Sequence, residues 1–111
     1  KTPEGWYWTS DRPWSKYAPA MSIHYPNDLD AARGLRMGYI NQEIHDEIVY
    51  KTRHKLRPPM ETKLGGKVLF HGGGDGRDWT WGCVGLSDRN NLKLREILEP
   101  YDHQVWTLIL P

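Results

Sequence analysis

Short runs of aromatic and β-branched residues, bounded by Pro, Gly, Asp or Ser, mark the strands that the sequence predicts. They are WYWT at 6–9, AMSIHY at 20–25, KVLF at 67–70, a short extended piece in GCVGL at 82–86, and a final strand in HQVWTLILP at 103–111. The final strand is apolar on both faces, so we expect both faces to be covered. Residues 10–20 contain two prolines and are predicted to form a loop.

Apolar residues at helical spacing predict helices between these strands. The first is a short, irregular segment over residues 29–38, with Asn27 or Asp28 as its N-cap. The second runs over residues 41–56. A strand-rich chain with separate helices belongs to the α+β class.

A third helix is predicted over residues 89–99, capped by Asp88. Its apolar face is expected to consist of Leu92, Leu94, Ile97 and Leu98.

Length and charge fit a single domain over residues 1–111 and disfavour nucleic acid as a partner. The 15 Lys and Arg residues against 14 Asp and Glu give a net charge of +1. The two signs are interspersed, so the surface carries no field that attracts a polyanion. No run of 18 apolar residues is present, which excludes a membrane-spanning helix of that length.

The segment HGGGDGRDWTWGCVGLSD at 71–88 holds the single cysteine, Cys83, twelve residues after His71. A thiol with an ordinary pKa of about 8.5 needs an imidazole or amide donors beside it to act as a nucleophile. His71 is the candidate base, and Gly82 allows a turn whose N–H groups form an oxyanion hole. A buried structural cysteine and a metal ligand are the alternatives, although no CxxC or HExxH motif supports a metal. Spacing alone leaves all three open.

His71-Gly72 followed by Thr80-x-Gly82-Cys83-Val84 resembles the active-site signature of the L,D-transpeptidase catalytic domain, the YkuD-like family. TPEG at 2–5 is similar to the Thr-Pro-x-Gly turn of that family, and SIHYPND at 22–28 resembles the Tyr-Pro-Asn stretch of its murein-associated branch. The resemblance implies an α+β, mainly β, sandwich-like domain with a mixed sheet, two to three helices, and neither metal nor cofactor. Family domains have strands before this turn, so either N-terminal strands are missing from this sequence or the sheet is smaller.

Carried over to this sequence, the resemblance assigns catalytic roles to residues of the segment. Cys83 attacks a carbonyl, His71 acts as general base and acid, and the backbone carbonyl of Gly72 orients the imidazole. The backbone amides of Trp81, Gly82 and Cys83 hold the oxyanion.

The implied function is an acyl transfer on peptidoglycan stem peptides in the periplasm or cell envelope of a bacterium, from which we expect a secreted protein whose signal segment is not part of this chain. Cys83 forms a thioester with the stem and passes the acyl group to an amine. A hydrolase with the same site is one alternative, acting as an L,D-carboxypeptidase or cutting crosslinks. A non-catalytic peptidoglycan-binding module is another.

Further residues are candidates for substrate binding or mark departures from the family pattern. Trp81 stands where the family often has His, and Gly85 where it often has Arg. Trp6 and Trp8 share one face of the first strand and are expected in the core. The substrate-binding candidates are Thr80, Arg77, Trp79, His24 and Tyr25. The alternatives are a structural role for His24, a solvated side chain for Arg77 and packing of the loop against the domain for Trp79.

Overall fold

A computed structural model of the protein describes residues 3–12, 20–71 and 84–111. These residues form an α+β fold with three helices and one five-stranded mixed sheet, so the predicted class is confirmed. The strands are β1 (Gly5–Arg12), β2 (Ala20–Ile23), β3 (Val68–His71), β4 (Val84–Gly85) and β5 (Val105–Ile109). The helices are α1 (Asp28–Arg36), α2 (Gln42–Arg53) and α3 (Asp88–Leu98), the last followed by a 3-10 turn at Glu99–Tyr101.

The chain forms two compact units, of which the first combines Lys1–Ile23 with Val68–Pro111 and the second is His24–Lys67. The first unit contains the sheet and α3, and the second contains α1 and α2. Strand order in the sheet is β4-β3-β2-β1-β5, and every pairing is antiparallel except that of β3 with β4. Within the described ranges, no helix has both the length and the apolar character needed to cross a bilayer.

The buried face of β1 holds Tyr7 and Thr9 rather than the two tryptophans. The expectation of a Trp6 and Trp8 core face was wrong, because Trp6 is 58 % exposed. Successive side chains of a strand point to opposite faces, so burying Tyr7 turns Trp6 outward. Thr9 is tolerated inside because its hydroxyl lies 2.8 Å from that of Thr107.

Strand β5 pairs with β1 and is covered on one face only. Val105, Thr107 and Ile109 are half-buried, whereas Trp106 on the other face is 52 % exposed. The expectation that both faces of this strand are covered was therefore wrong. Trp106 instead packs edge-on against Trp8, with ring centroids 5.3 Å apart.

Helix α1 is a regular helix that begins with a capping box, not the irregular segment expected from its composition. The Asn27 side chain accepts a hydrogen bond from the Asp30 N–H at 2.9 Å, and the Asp30 carboxylate accepts one from the Asn27 N–H at 3.0 Å. This reciprocal pair satisfies two amide donors that the first turn would otherwise leave open. The helix ends at Arg36, two residues before the predicted stop at Gly38.

Helix α2 begins after Asn41, as predicted, and ends at Arg53 rather than near residue 56. Its buried residue, Ile48, packs in one core cluster with Ala31 and Ile40. The cluster joins α1 to α2 and forms the apolar centre of the second unit.

Helix α3 is capped by Ser87 instead of Asp88, and the predicted apolar face is wrong at two positions. The Ser87 hydroxyl accepts from the N–H of Asn90 at 3.1 Å. Leu92 and Ile97 are 60 % and 59 % exposed, whereas Asn91, one residue along, is buried.

A charged contact explains why α3 buries a different face from the predicted one. The spacing of apolar residues carries no signal of this contact. Arg95 donates from one nitrogen to the Asp11 carboxylate at 2.8 Å and to the Ala20 carbonyl at 3.0 Å. The second Asp11 oxygen lies 3.6 Å from the His103 ring. The contact draws the Arg95 side of the helix towards the sheet strands β1 and β2.

We expect Arg95→Gln to lower the free energy of unfolding of the first unit by about 2 kcal/mol, because it leaves a partly buried carboxylate without its cation. The matched control is Arg89→Gln, an exposed position on the same helix, which should change stability by no more than about 0.5 kcal/mol. Urea unfolding followed by tryptophan fluorescence measures this, since all six Trp residues belong to the first unit. Equal effects of the two substitutions would contradict the assigned role.

Candidate functional site

His71 is the last residue of β3 and is fully buried, with 0 % exposure. The prediction that this strand carries His71 at its end is confirmed. Leu69, two residues earlier on the same face of the strand, is also buried. The imidazole therefore projects from a strand end in the core of the sheet, where its position is fixed by packing.

The backbone beside His71 is held by the parallel pairing of β3 with β4. Phe70 pairs with Val84 and His71 with Gly85. The Leu86 N–H continues the pairing by donating to the His71 carbonyl at 2.8 Å. These contacts fix His71 and Val84, the two residues that flank segment 72–83.

Most residues of the predicted catalytic segment lie outside the described residues. His71 is described on one side of it, and Val84 and Gly85 on the other. The predicted site residues outside the described ranges are Gly72, Arg77, Trp79, Thr80, Trp81, Gly82 and Cys83.

Gly85, one of the two departures from the family pattern, is the register partner of His71. Paired residues on neighbouring strands direct their side chains to the same face of a sheet. A side chain at position 85 would therefore lie next to the imidazole. Glycine brings neither a side chain nor a charge to that position.

His24 is the first residue of the second unit, directly after β2, and it is buried. Burial lowers the pKa of the imidazole to about 4, with the Arg57 cation acting in the same direction and a hydrogen bond to the Leu56 backbone opposing it. At neutral pH His24 is therefore uncharged.

Tyr25 donates its hydroxyl to the Leu64 carbonyl at 2.7 Å. Burial, and next the Asp30 carboxylate, raise the pKa of this phenol above its usual value. Tyr25 also lines a pocket of about 210 Å³ in the second unit, of which it is the one predicted site residue. The other lining residues are Asp30, Arg33, Gly34, Met37, Tyr39, Lys63 and Leu64.

Sequence reasoning missed these other lining residues because they come from α1 and from a distant segment near residue 64. The spacing Asn27-x-x-Asp30 is a capping-box pattern and is the one local signal in the sequence for part of this pocket. Among the residues that the structure describes, no three His, Cys, Asp or Glu side chains are grouped as a metal ion requires.

The lowered pKa of His24 makes stability depend on pH in a defined direction. The unfolded chain binds a proton at His24 near pH 6.5, and the folded chain binds it only near pH 4. Protonation therefore favours the unfolded state between these values, so the contribution of neutral His24 to the free energy of unfolding is complete above pH 6.5 and is lost as the pH falls towards 4. Over that range, we expect the free energy of unfolding to fall by on the order of 2 kcal/mol more in wild type than in His24→Gln, which has no imidazole to protonate. Urea unfolding followed by circular dichroism at several pH values measures it; identical pH profiles would contradict the burial of a neutral imidazole.

No family model matches the chain, and no curated protein or solved structure is significantly similar to it. The chemistry of the site residues is therefore the basis for a functional proposal. Two locations carry that chemistry: the end of β3 in the first unit, and the Tyr25 pocket in the second.

Proposed function

We propose that the protein is a cysteine acyltransferase of the L,D-transpeptidase type that acts on peptidoglycan stem peptides. Cys83 is the nucleophile and His71 its general base in this proposal. The observation that carries it is the pairing of β3 with β4, which places His71 and Val84, the residues that flank segment 72–83, on neighbouring strands.

The register makes a contact between the two side chains feasible despite their separation in sequence. Cys83 is bonded to Val84, and Val84 lies beside Phe70, which is bonded to His71. Consecutive Cα atoms are about 3.8 Å apart and neighbouring strands about 4.8 Å apart, so the chain tethers Cys83 close to the end of β3. A general base must come within about 3 Å of the proton it takes, which these limits allow.

Burial of His71 supports its role as base. An imidazole held by core packing keeps its orientation without an entropic cost at each turnover. The hydrogen bond from Leu86 to the His71 carbonyl holds the backbone in the same way. In this proposal an imidazolium next to the cysteine stabilises the thiolate that proton transfer produces.

The proposed reaction has two halves. In the first, His71 takes the Cys83 thiol proton, and sulfur attacks the carbonyl of the L-centre of a diamino acid in the stem. Amides of Trp81, Gly82 and Cys83 stabilise the oxyanion. Collapse breaks the bond to the terminal D-amino acid, His71 protonates its departing amine, and a thioester remains.

In the second half, an acceptor amine gives a proton to His71 and attacks the thioester carbonyl. The new amide bond forms as the carbon–sulfur bond breaks, and the proton returns to Cys83. This proposal includes three further points: a sandwich-like L,D-transpeptidase architecture, a single functional domain, and a site of action in the bacterial cell envelope.

A hydrolase that uses the same thioester is the second candidate, and Gly85 is the observation that favours it. An arginine at this position would place a bidentate carboxylate-binding group beside His71, and glycine provides none. Acceptor binding is then weaker than in the family pattern, so water competes better for the thioester.

Incubation with a carbapenem, an inhibitor class of this family, is expected to add one inhibitor molecule per chain, on Cys83. Cys83→Ser should show no adduct, because a hydroxyl is not activated as a thiol is. His71→Gln should acylate at least tenfold more slowly, since general-base catalysis contributes about 10²-fold or more. Intact-protein mass spectrometry over time measures both.

Since His71 is buried, the folded state of His71→Gln is checked by circular dichroism, and His54→Gln, at an exposed position, is the matched control. No adduct on wild type, or equal rates for wild type and folded His71→Gln, would overturn the proposal and favour a non-catalytic module.

Purified disaccharide-tetrapeptides distinguish transfer from hydrolysis. Transfer predicts crosslinked dimers and free D-amino acid in equal amounts, whereas hydrolysis predicts tripeptide stems and free D-amino acid without dimers. Product masses decide between the two. Neither product, in the presence of a Cys83 adduct, would show that the thiol is reactive but that the stem is not its substrate.

A further inference from the structure

The pocket lined by Tyr25 in the second unit lies between the C-terminal half of α1 and the segment that carries Lys63 and Leu64. Its volume is about 210 Å³. The walls combine charged groups, a second phenol at Tyr39 and apolar side chains. Such a combination of concave shape and converging polar groups is typical of a small-molecule site.

The acidic residue of the pocket is already committed to partners within α1. One Asp30 oxygen accepts from the Asn27 N–H at 3.0 Å, and the other accepts from Arg33 at 3.1 Å. Asp30 is itself buried. Its charge is therefore used to cap the helix and hold Arg33, and it needs no cation from outside.

The cationic groups retain donors for a ligand. Arg33 uses one terminal nitrogen on Asp30, and a guanidinium carries five N–H donors. Lys63 adds a second cation and the half-exposed Tyr39 a hydroxyl. With two cations against one committed carboxylate, the pocket favours an anion.

Apolar walls complete the pocket. Met37 and Leu64 line it beside the charged groups. Leu64 approaches α1 closely because of Gly34: a Cβ at that position would lie 2.8 Å from a Leu64 methyl carbon. A ligand that fits both kinds of wall carries an anionic group at one end and a short apolar group next to it.

We propose that this pocket binds the carboxylate of a small organic anion, with the carboxylate between Arg33 and Lys63 and its apolar substituent against Met37 and Leu64. The volume of about 210 Å³ lies below the range of about 300–1,000 Å³ typical of drug-sized ligands, which suits a smaller molecule such as an acylated amino acid. The inference does not depend on Cys83. The carboxylate can come from a free amino-acid derivative or from the C-terminus of a short peptide.

The first test compares N-acetylalanine with its primary amide by isothermal titration calorimetry on the full chain. The carboxylate is expected to bind at least about tenfold more tightly than the amide, because only the carboxylate pairs with both cations. Amide NMR shifts of Tyr39 and Lys63 should move with the same dissociation constant. Equal affinities, or no saturable binding below about 10 mM, would overturn the proposal.

Matched variants locate the site. Arg33→Gln and Lys63→Gln should each weaken binding of N-acetylalanine about fivefold, as expected for loss of one partly exposed charge contact. Arg36→Gln removes an equal charge from the last turn of the same helix, outside the pocket lining, and should change affinity less than about twofold. If Arg33→Gln does not fold because it has lost the contact with Asp30, Lys63→Gln alone still tests the site. Equal weakening by Arg36→Gln and Lys63→Gln would mean that charge alone attracts the anion, and would overturn the site.

A third titration with N-acetylalanyl-alanine identifies the source of the carboxylate. Tighter binding than N-acetylalanine supports the site with a peptide C-terminus as its ligand, and weaker binding supports it with a free amino-acid derivative. Both results are independent of adduct formation at Cys83, so failure of the carboxylate site and failure of the proposed acyltransferase are separate outcomes.

Discussion

Val84 lies beside Phe70 because β4 pairs with β3 in parallel, and this pairing places the two residues that flank the cysteine-bearing segment on neighbouring strands. Two parallel neighbours need a crossover of about a dozen residues, which segment 72–83 supplies. Were β4 unpaired, the sequence separation of His71 and Cys83 would imply no proximity. With it paired, Val84, to which the cysteine is bonded, lies one strand spacing from Phe70, the residue before His71. The chemistry proposed for the first unit depends on this constraint.

The second unit is inserted in the sequence between two paired strands, β2 and β3. The chain leaves β2 after Ile23 and returns at Val68, and these two residues are partners in an antiparallel pairing. The ends of residues 24–67 are therefore adjacent, and the insertion replaces what would otherwise be a hairpin turn. Inside it, Asp30 closes the capping box and orients Arg33, so one buried carboxylate links local helix initiation to the charge of the pocket.

The spacing of apolar residues and the N-cap residues predicted where the helices and strands lie. They predicted less well which face of each element is buried. The starts of α1 and α2 follow from Asn27 and Asn41, whose side chains accept from backbone amides three residues on. The face of α3 was wrong because Arg95 reaches Asp11, a contact across 84 residues that no periodicity encodes. The faces of β1 and β5 were wrong because aromatic and apolar residues stand on both sides, and packing of Tyr7 decided which side is buried. His71 was identified because a histidine at the end of an apolar strand is visible in sequence, whereas the Lys63 side of the pocket depends on tertiary packing.

The pH dependence of the rate at which iodoacetamide alkylates Cys83 tests directly whether His71 is the base of this cysteine. An isolated thiol has a pKa of about 8.5 and reacts slowly at about pH 6. If His71 takes the thiol proton, wild type should react at about pH 6 at least tenfold faster than folded His71→Gln, and its profile should rise at lower pH. Superimposable profiles, each with a single inflection near pH 8.5, would contradict the assignment of His71 as the base of Cys83.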